Sequence, residues 1–195
     1  GIILIGSSTS GLASNVMAYL AKANIALSVT LTAVATLVAP IMTPFLMKTL
    51  AGSFVPIDFL AMMTSIFKIV IVPVLLGLIF NYFFHGKAKW LDKAMPIISM
   101  AGIGFIIMII TAAGRDDLLS IGLLLILAAI IHNLLGYVFG YWGCRIFGMS
   151  EQDCRTIAFE VGMQNGGLAT GIALEMGKIS TVGLAPAIFG PWMNI

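Results

Sequence analysis

The side chains of this sequence best equipped for chemistry carry oxygen and sit beside glycine-rich interruptions in long apolar stretches. Glu160 and Gln164 are one helical turn apart and face the same way, just ahead of Asn165-Gly166-Gly167. Ser14 and Asn15 follow a similar interruption at Ser10-Gly11, and Ser28 and Thr32 share a helix face at i, i+4. Hydroxyl, amide and carboxylate oxygens without cysteine or histidine are the ligands of a hard cation rather than of zinc or copper. One negative charge among several neutral oxygens suits a monovalent ion. Each piece also has a plainer reading. Ser28 and Thr32 are able to bond back to carbonyls four residues earlier, and Glu160 has Arg155 within reach as a structural partner. An ionisable residue inside a membrane span is nonetheless a functional hypothesis by default.

The elements that position these groups follow from composition. Hydrophobic residues make up 60% of the 195 and charged residues 9%, with a mean hydropathy of +1.09. A soluble domain carries roughly 25% charged residues, so this chain belongs among membrane proteins. The net charge of +2 comes from isolated basic residues at the ends of apolar runs, and it gives no nucleic-acid footprint. The apolar runs are continuous and long enough to cross a hydrocarbon core of roughly 30 Å as helices. Helices are predicted at 24–49, 57–84, 89–113 and 118–146. Between them lie Ala51-Gly-Ser-Phe-Val-Pro, His85-Gly-Lys-Ala-Lys, Gly114-Arg-Asp-Asp and Gly148-Met-Ser-Glu-Gln-Asp, each read as a loop. Segments 1–22, 151–178 and 180–195 do not fit this pattern.

Two of those segments match each other. Ser8-Thr-Ser-Gly-Leu-Ala-Ser-Asn aligns with Gln164-Asn-Gly-Gly-Leu-Ala-Thr-Gly at an offset of about 156, with Lys22 then falling on Lys178 and Asn24 on Ser180. An odd number of spans between the copies makes them an inverted-topology repeat. The same offset predicts a partner for the Pro56 helix about 100 residues before Gly1, and a last helix running about ten residues past Ile195; on this reading the chain is a fragment.

Basic residues set the orientation. Lys22, Lys87, Lys89, Lys93, Arg145 and Arg155, with His85, lie at one side, and Lys48, Arg115 and Lys178, with Asp58, Asp116 and Asp117, at the other. The first side is expected to be cytoplasmic, which also puts Cys144 and Cys154 at a reducing face as packed or free thiols.

Non-helical backbone at membrane depth must be buried in protein or line a cavity. Both breaks, near Ser10-Gly11 and Asn165-Gly166-Gly167, therefore point at one, expected at the middle of the bundle where the half-helices cross. Carbonyls freed there attract a cation, and amides freed at Gly166 and Gly167 attract an anion beside Asn165. His132 reads as a hydrogen-bonded bundle histidine or a proton relay, and Lys68 as a snorkelling side chain or a substrate contact. Gly136-Tyr-Val-Phe-Gly140 is a helix-packing pattern. Asp116-Asp117 reads as part of a solvated loop.

Gly11-Leu-Ala-Ser-Asn-Val-Met with Ala26-Leu-Ser-Val-Thr-Leu-Thr-Ala-Val, and Glu160-Val-Gly-Met-Gln-Asn with the Gly-Leu-Ala that follows, resemble the two signatures of the bile acid:sodium symporter family. The resemblance covers essentially the whole chain. It implies an all-α polytopic bundle of ten helices, about seven of them present, with two discontinuous crossing helices. By the same resemblance, residues 1–50 and 114–195 belong to a core domain and 51–113 to a panel domain that rocks against it. It also implies one sodium ion on Ser14, Asn15, Ser28, Thr32 and Glu160. A second would lie on Glu160, Val161, Met163 and Gln164, completed by a residue on a helix outside this chain. The implied substrate region takes in Thr9, Asn165, Gly166 and Asn194. Many members carry Pro-Gly-Gly where this chain has Thr9-Ser10-Gly11, and some carry Trp-His-Asn where it has Trp192-Met193-Asn194. A bile acid or a smaller organic anion then remains open as the cargo. The expectation is a sodium-coupled symporter in a bacterial inner membrane and not an enzyme. A proton-coupled or metalloid-anion exporter of related architecture is the alternative.

Overall fold

The computed structural model describes residues 1–84 and 89–194, the side chains at 89, 92, 93 and 96 excepted. His85 and Lys87 of the orientation argument, and the side chains of Lys89 and Lys93, lie outside the described residues. The chain is an integral membrane protein built of helices. Among the described residues, three helices are long and apolar enough to cross a membrane: Ile25–Ala51, Phe59–Phe84 and Arg115–Ile146. In order they run α1 (Ile2–Gly6), α2 (Ala13–Leu20), α3 (Ile25–Ala51), α4 (Phe59–Ile66), a π-helical turn (Phe67–Ile71), α5 (Val72–Phe84), α6 (Lys89–Ala113), α7 (Arg115–Ile146), α8 (Glu151–Gly162), α9 (Gly166–Glu175) and α10 (Leu184–Trp192).

Side-chain caps start several of these helices. Asn24 accepts from the Leu27 N–H at 3.1 Å, Asp58 from Ala61 at 3.0 Å, Ser150 from Asp153 at 3.2 Å and Asn165 from Leu168 at 2.9 Å. Each satisfies a donor that the first helical turn leaves orphaned. Two expectations change. Asp116 and Asp117 belong to the first turn of α7, not to a loop, where their charge meets the positive end of the helix dipole. The helix expected over 57–84 is interrupted by the π turn around the exposed Lys68, a local widening that apolar periodicity does not reveal.

Segments 1–22 and 151–178 are each two half-helices, as the breaks require, and they meet. The Gly11 N–H donates to the Met163 carbonyl at 3.0 Å and the Asn165 N–H to the Thr9 carbonyl at 2.7 Å. Ser10 and Gln164 thus form an antiparallel bridge at the crossing. Glycine is required at position 11 because a Cβ there would stand 2.9 Å from the Gln164 carbonyl oxygen. The distal ends of α2 and α9 close alike, with Lys22 (φ 52°) and Gly177 (φ 64°) in the left-handed region. Ala23 then donates to Ala18 at 2.8 Å, and Lys178 to Ala173 at 2.9 Å. Ser10 faces Gln164 and Ala23 matches Lys178, so the spatial offset is one or two residues short of the 156 read from the sequence. The second break is shorter, with three residues between half-helices against six in the first.

Helix α8, which carries Glu160, is embedded between α7, α2 and α3. Its tightest neighbour is α7: a Cβ on Gly136 would lie 2.8 Å from the Gly162 Cα, and one on Gly140 2.8 Å from the Ala158 Cα. The small-residue pattern of α7 is a packing seam, as expected.

Candidate functional site

Ser14 and Asn15 arrive on the first turns of α2, Ser28 and Thr32 on successive turns of α3, and Glu160 near the end of α8. Their oxygens converge. The Ser14 and Ser28 hydroxyls each lie 2.6 Å from Glu160 Oε1, and the Thr32 hydroxyl lies 3.2 Å and 3.0 Å from its two carboxylate oxygens. Asn15 Oδ1 accepts from Ser28 at 2.8 Å and Thr32 at 3.4 Å, while Ser14 also reaches the Gly11 carbonyl at 2.8 Å. Ser14 and Ser28 are wholly buried and Glu160 is 9% exposed.

The plainer readings of these residues do not hold. Arg155 pairs with Glu151 at 3.0 Å, not with Glu160. Thr30 and Thr36 bond back along α3, to Ala26 and Thr32, whereas Ser28 and Thr32 turn to the carboxylate. Three hydroxyls own three protons, yet they make seven oxygen–oxygen contacts within the cluster. The cluster is rich in lone pairs, and neither ion pair among the described residues involves Glu160. A bare carboxylate in such a place is costly, and a small cation held by the same oxygens offsets both the charge and the lone-pair excess.

The residues assigned to a second ion are placed differently. Val161 is exposed, the Met163 carbonyl accepts the Gly11 N–H, and the Gln164 side-chain oxygen lies 3.0 Å from His132 Nε2. His132 is thus hydrogen-bonded at the break and packed edge-on against Phe189 at 5.5 Å. Its neighbour Asn133 donates to the Gly162 carbonyl at 2.8 Å, satisfying an oxygen freed where α8 ends. Cys144 and Cys154 are buried free thiols, packed around Met149.

Against the crossing, lined by Gly11 and Gln164 among others, lies a cavity of about 460 Å³. Asn165, Gly166 and Asn194 line it, with Gly167 and Thr170 beside them. Thr9 does not line it: its carbonyl is spent on the Asn165 N–H, and its hydroxyl is buried without a partner, as are those of Ser7 and Ser10. Asn165 uses its side-chain oxygen to cap α9, which leaves the amide nitrogen as the group it has to offer a ligand. Ile103, Ile106 and Ile107 of α6 and Pro186 and Gly190 of α10 also form the wall. Sequence reasoning missed these, because nothing in an apolar helix marks which face closes over a distant break.

The sodium bile acid symporter family model matches residues 1–121, which includes the first break with Ser14, Asn15, Ser28 and Thr32. The chain belongs to the sodium bile acid symporter family. Members similar to it carry names of the same kind. The uncharacterized sodium-dependent transporter YocS of Bacillus subtilis is 39% identical over 100% of this chain and 60% of its own length. The probable chloroplastic sodium/metabolite cotransporter BASS1 of Arabidopsis thaliana is 35% identical over 90% of this chain and 44% of its own. The corresponding BASS2 of rice is 33% identical over 86% and 40%. This chain thus spans between 40% and 60% of the length of these relatives.

Proposed function

We propose that the complete protein is a sodium-driven symporter that carries an organic anion inward by alternating access, in a bacterial inner membrane. The observation that carries this reading is the lone-pair-rich oxygen cluster on the buried Glu160, gathered from three helices next to the crossing of two broken ones. Sodium held by Ser14, Asn15, Ser28, Thr32 and Glu160 would tie α2, α3 and α8 together. That fixes the crossing, and with it the Asn165 amide and the first turn of α9 at the cavity wall. Membership in the family, and the sodium dependence named for its relatives, support sodium as the coupling ion.

A second sodium on Glu160, Val161, Met163 and Gln164 would have to draw Gln164 away from His132, with a further ligand from outside this chain. Two sodium ions with one monovalent anion move net positive charge inward, worth about 2.3 kcal/mol per elementary charge per 100 mV. A tenfold sodium gradient adds roughly 1.4 kcal/mol per ion. The largely apolar cavity wall, with a few amides and the Thr170 hydroxyl, suits a small carboxylate or a bile-acid-like anion. His132 beside Gln164 is the one feature that favours proton-coupled export instead.

Uptake of a panel of organic anions into proteoliposomes of the complete protein separates these. Sodium-driven, pH-insensitive uptake supports symport, and pH-driven flux without sodium would replace it. In the same assay Asn165→Ser keeps an oxygen to cap α9 but removes the amide donor. It should weaken anion affinity about tenfold while leaving sodium activation within about twofold, as the loss of one hydrogen bond at a binding site implies. Unchanged anion affinity would remove Asn165 from the substrate site.

A further inference from the structure

The oxygen cluster leaves open what sets the register of α3 against α8, since α3 has to present two successive turns to one carboxylate. One turn before Ser28 stands Asn24, and one turn before Glu160 stands Thr156. The Asn24 N–H donates to Thr156 Oγ1 at 2.9 Å, and the Thr156 hydroxyl lies 2.9 Å from the Gln152 carbonyl of its own helix and 3.2 Å from the Asn24 carbonyl. The Asn24 side chain adds a further link, its Nδ2 donating to Asp153 Oδ1 at 2.8 Å while its Oδ1 caps α3. Asp153 in turn accepts from the capping Ser150 hydroxyl of α8 at 2.7 Å. The caps of the two helices are therefore tied to each other through Asp153. The turn between α2 and α3 is clamped as well, with Arg155 Nη1 donating to the Ala21 carbonyl at 3.3 Å, next to the left-handed Lys22.

We propose that Thr156, with Asn24, is a positioning latch that sets sodium affinity without touching the ion. Thr156 is wholly buried and its hydroxyl is anchored on the Gln152 carbonyl, so the oxygen it offers the Asn24 N–H is a fixed point against which α3 registers on α8. Through the 21–24 turn the same latch holds the end of α2, which brings Ser14 and Asn15. The ligand-bearing helices are thus held close behind the ligands, α3 and α8 one turn away and α2 about two turns away. Residues that orient ligands from behind typically change metal affinity by about 10 to 100-fold when removed.

The inference rests on the sodium reading above, and its test keeps the two apart. Sodium activation of uptake by the complete protein is measured first for wild type; absence of any saturable sodium activation would overturn the symport reading itself. Given wild-type activation, Thr156→Val, which preserves shape and removes the hydroxyl, should raise the half-saturating sodium concentration at least tenfold. Maximal uptake at saturating sodium should stay within about twofold, and Thr156→Ser should restore the wild-type value. A merely structural role would lower the amount of active protein and leave the half-saturating concentration alone, and that result would overturn the latch. Should Thr156→Val not fold, hydrogen exchange on the wild type decides the matter: sodium should slow exchange of the Asn24 amide, because linkage requires the ion to tighten what tightens it. An Asn24 amide indifferent to sodium would refute the proposal.

Discussion

Glu160→Gln in the complete protein is expected to abolish sodium-gradient-driven uptake. The substitution keeps the shape of the side chain and one oxygen for the hydroxyls of Ser14, Ser28 and Thr32, and removes only the charge. Among the described residues no Lys or Arg is paired with Glu160, so its carboxylate is the one full charge that a cation held in the cluster would meet there. A site of neutral oxygens, 9% exposed at its carboxylate position, would have to strip water from sodium without that compensation. Half-saturation by sodium should rise a hundredfold or more, equivalent to about 2.8 kcal/mol at 1.4 kcal/mol per factor of ten. The variant should also fold and reach the membrane normally, since a neutral amide is cheaper to bury than a carboxylate. Measuring uptake against sodium concentration in proteoliposomes with a controlled potential checks this.

The second large effect concerns the α7–α8 seam. Gly136→Val would drive a side chain into backbone, with the Gly162 Cα at 2.8 Å and the Val161 carbonyl oxygen at 3.1 Å from its first carbon. Backbone cannot rotate away as a side-chain tip can, so α8 must move outward. Overpacking of this kind costs about 1–3 kcal/mol, and the displacement also carries Glu160 away from Ser14 and Ser28. Thermal stability and sodium affinity should fall together. Gly143→Val, two turns further along the same helix, meets nothing within 4 Å and should change neither. A fluorescence-based melting curve, recorded with and without sodium for the two variants, makes the comparison. Equal behaviour of the pair would mean that the seam does not position the site.

Most of this architecture was legible in the residues. Apolar runs between loop-forming clusters placed α3, α6 and the ends of the remaining spans to within a few positions. The internal match between 8–15 and 164–171 located both breaks. The four side chains gathered around Glu160 were legible for a related reason, since each lies on or one helix beyond a break that must face protein or a cavity. What stayed hidden depends on contacts between segments distant in the chain. The π turn at Phe67–Ile71 changes the backbone without changing composition. The slip of one or two residues between the repeats is invisible to an alignment that rewards matched Gly-Leu-Ala triplets, because pairing across the crossing obeys hydrogen bonds, not residue identity. Thr9 looked like a cavity residue from its place in the break, yet the twist of the linker turns its hydroxyl inward. Gln164 was read with Glu160 because they share a helix face, but α8 ends at Gly162 and the break swings Gln164 to His132.

Direct binding of radioactive sodium to the purified complete protein, in detergent and without substrate, tests the central claim most closely, and α3 supplies its own control. Thr32 reaches both carboxylate oxygens of Glu160, whereas Thr30, two residues away and exposed, bonds only back to Ala26. Wild type should bind sodium saturably and in preference to potassium, Thr30→Val should bind it equally well, and Thr32→Val should lose at least tenfold in affinity through one missing oxygen ligand. Sodium binding that survives Thr32→Val and Glu160→Gln unchanged would contradict the assignment of this cluster as the ion site.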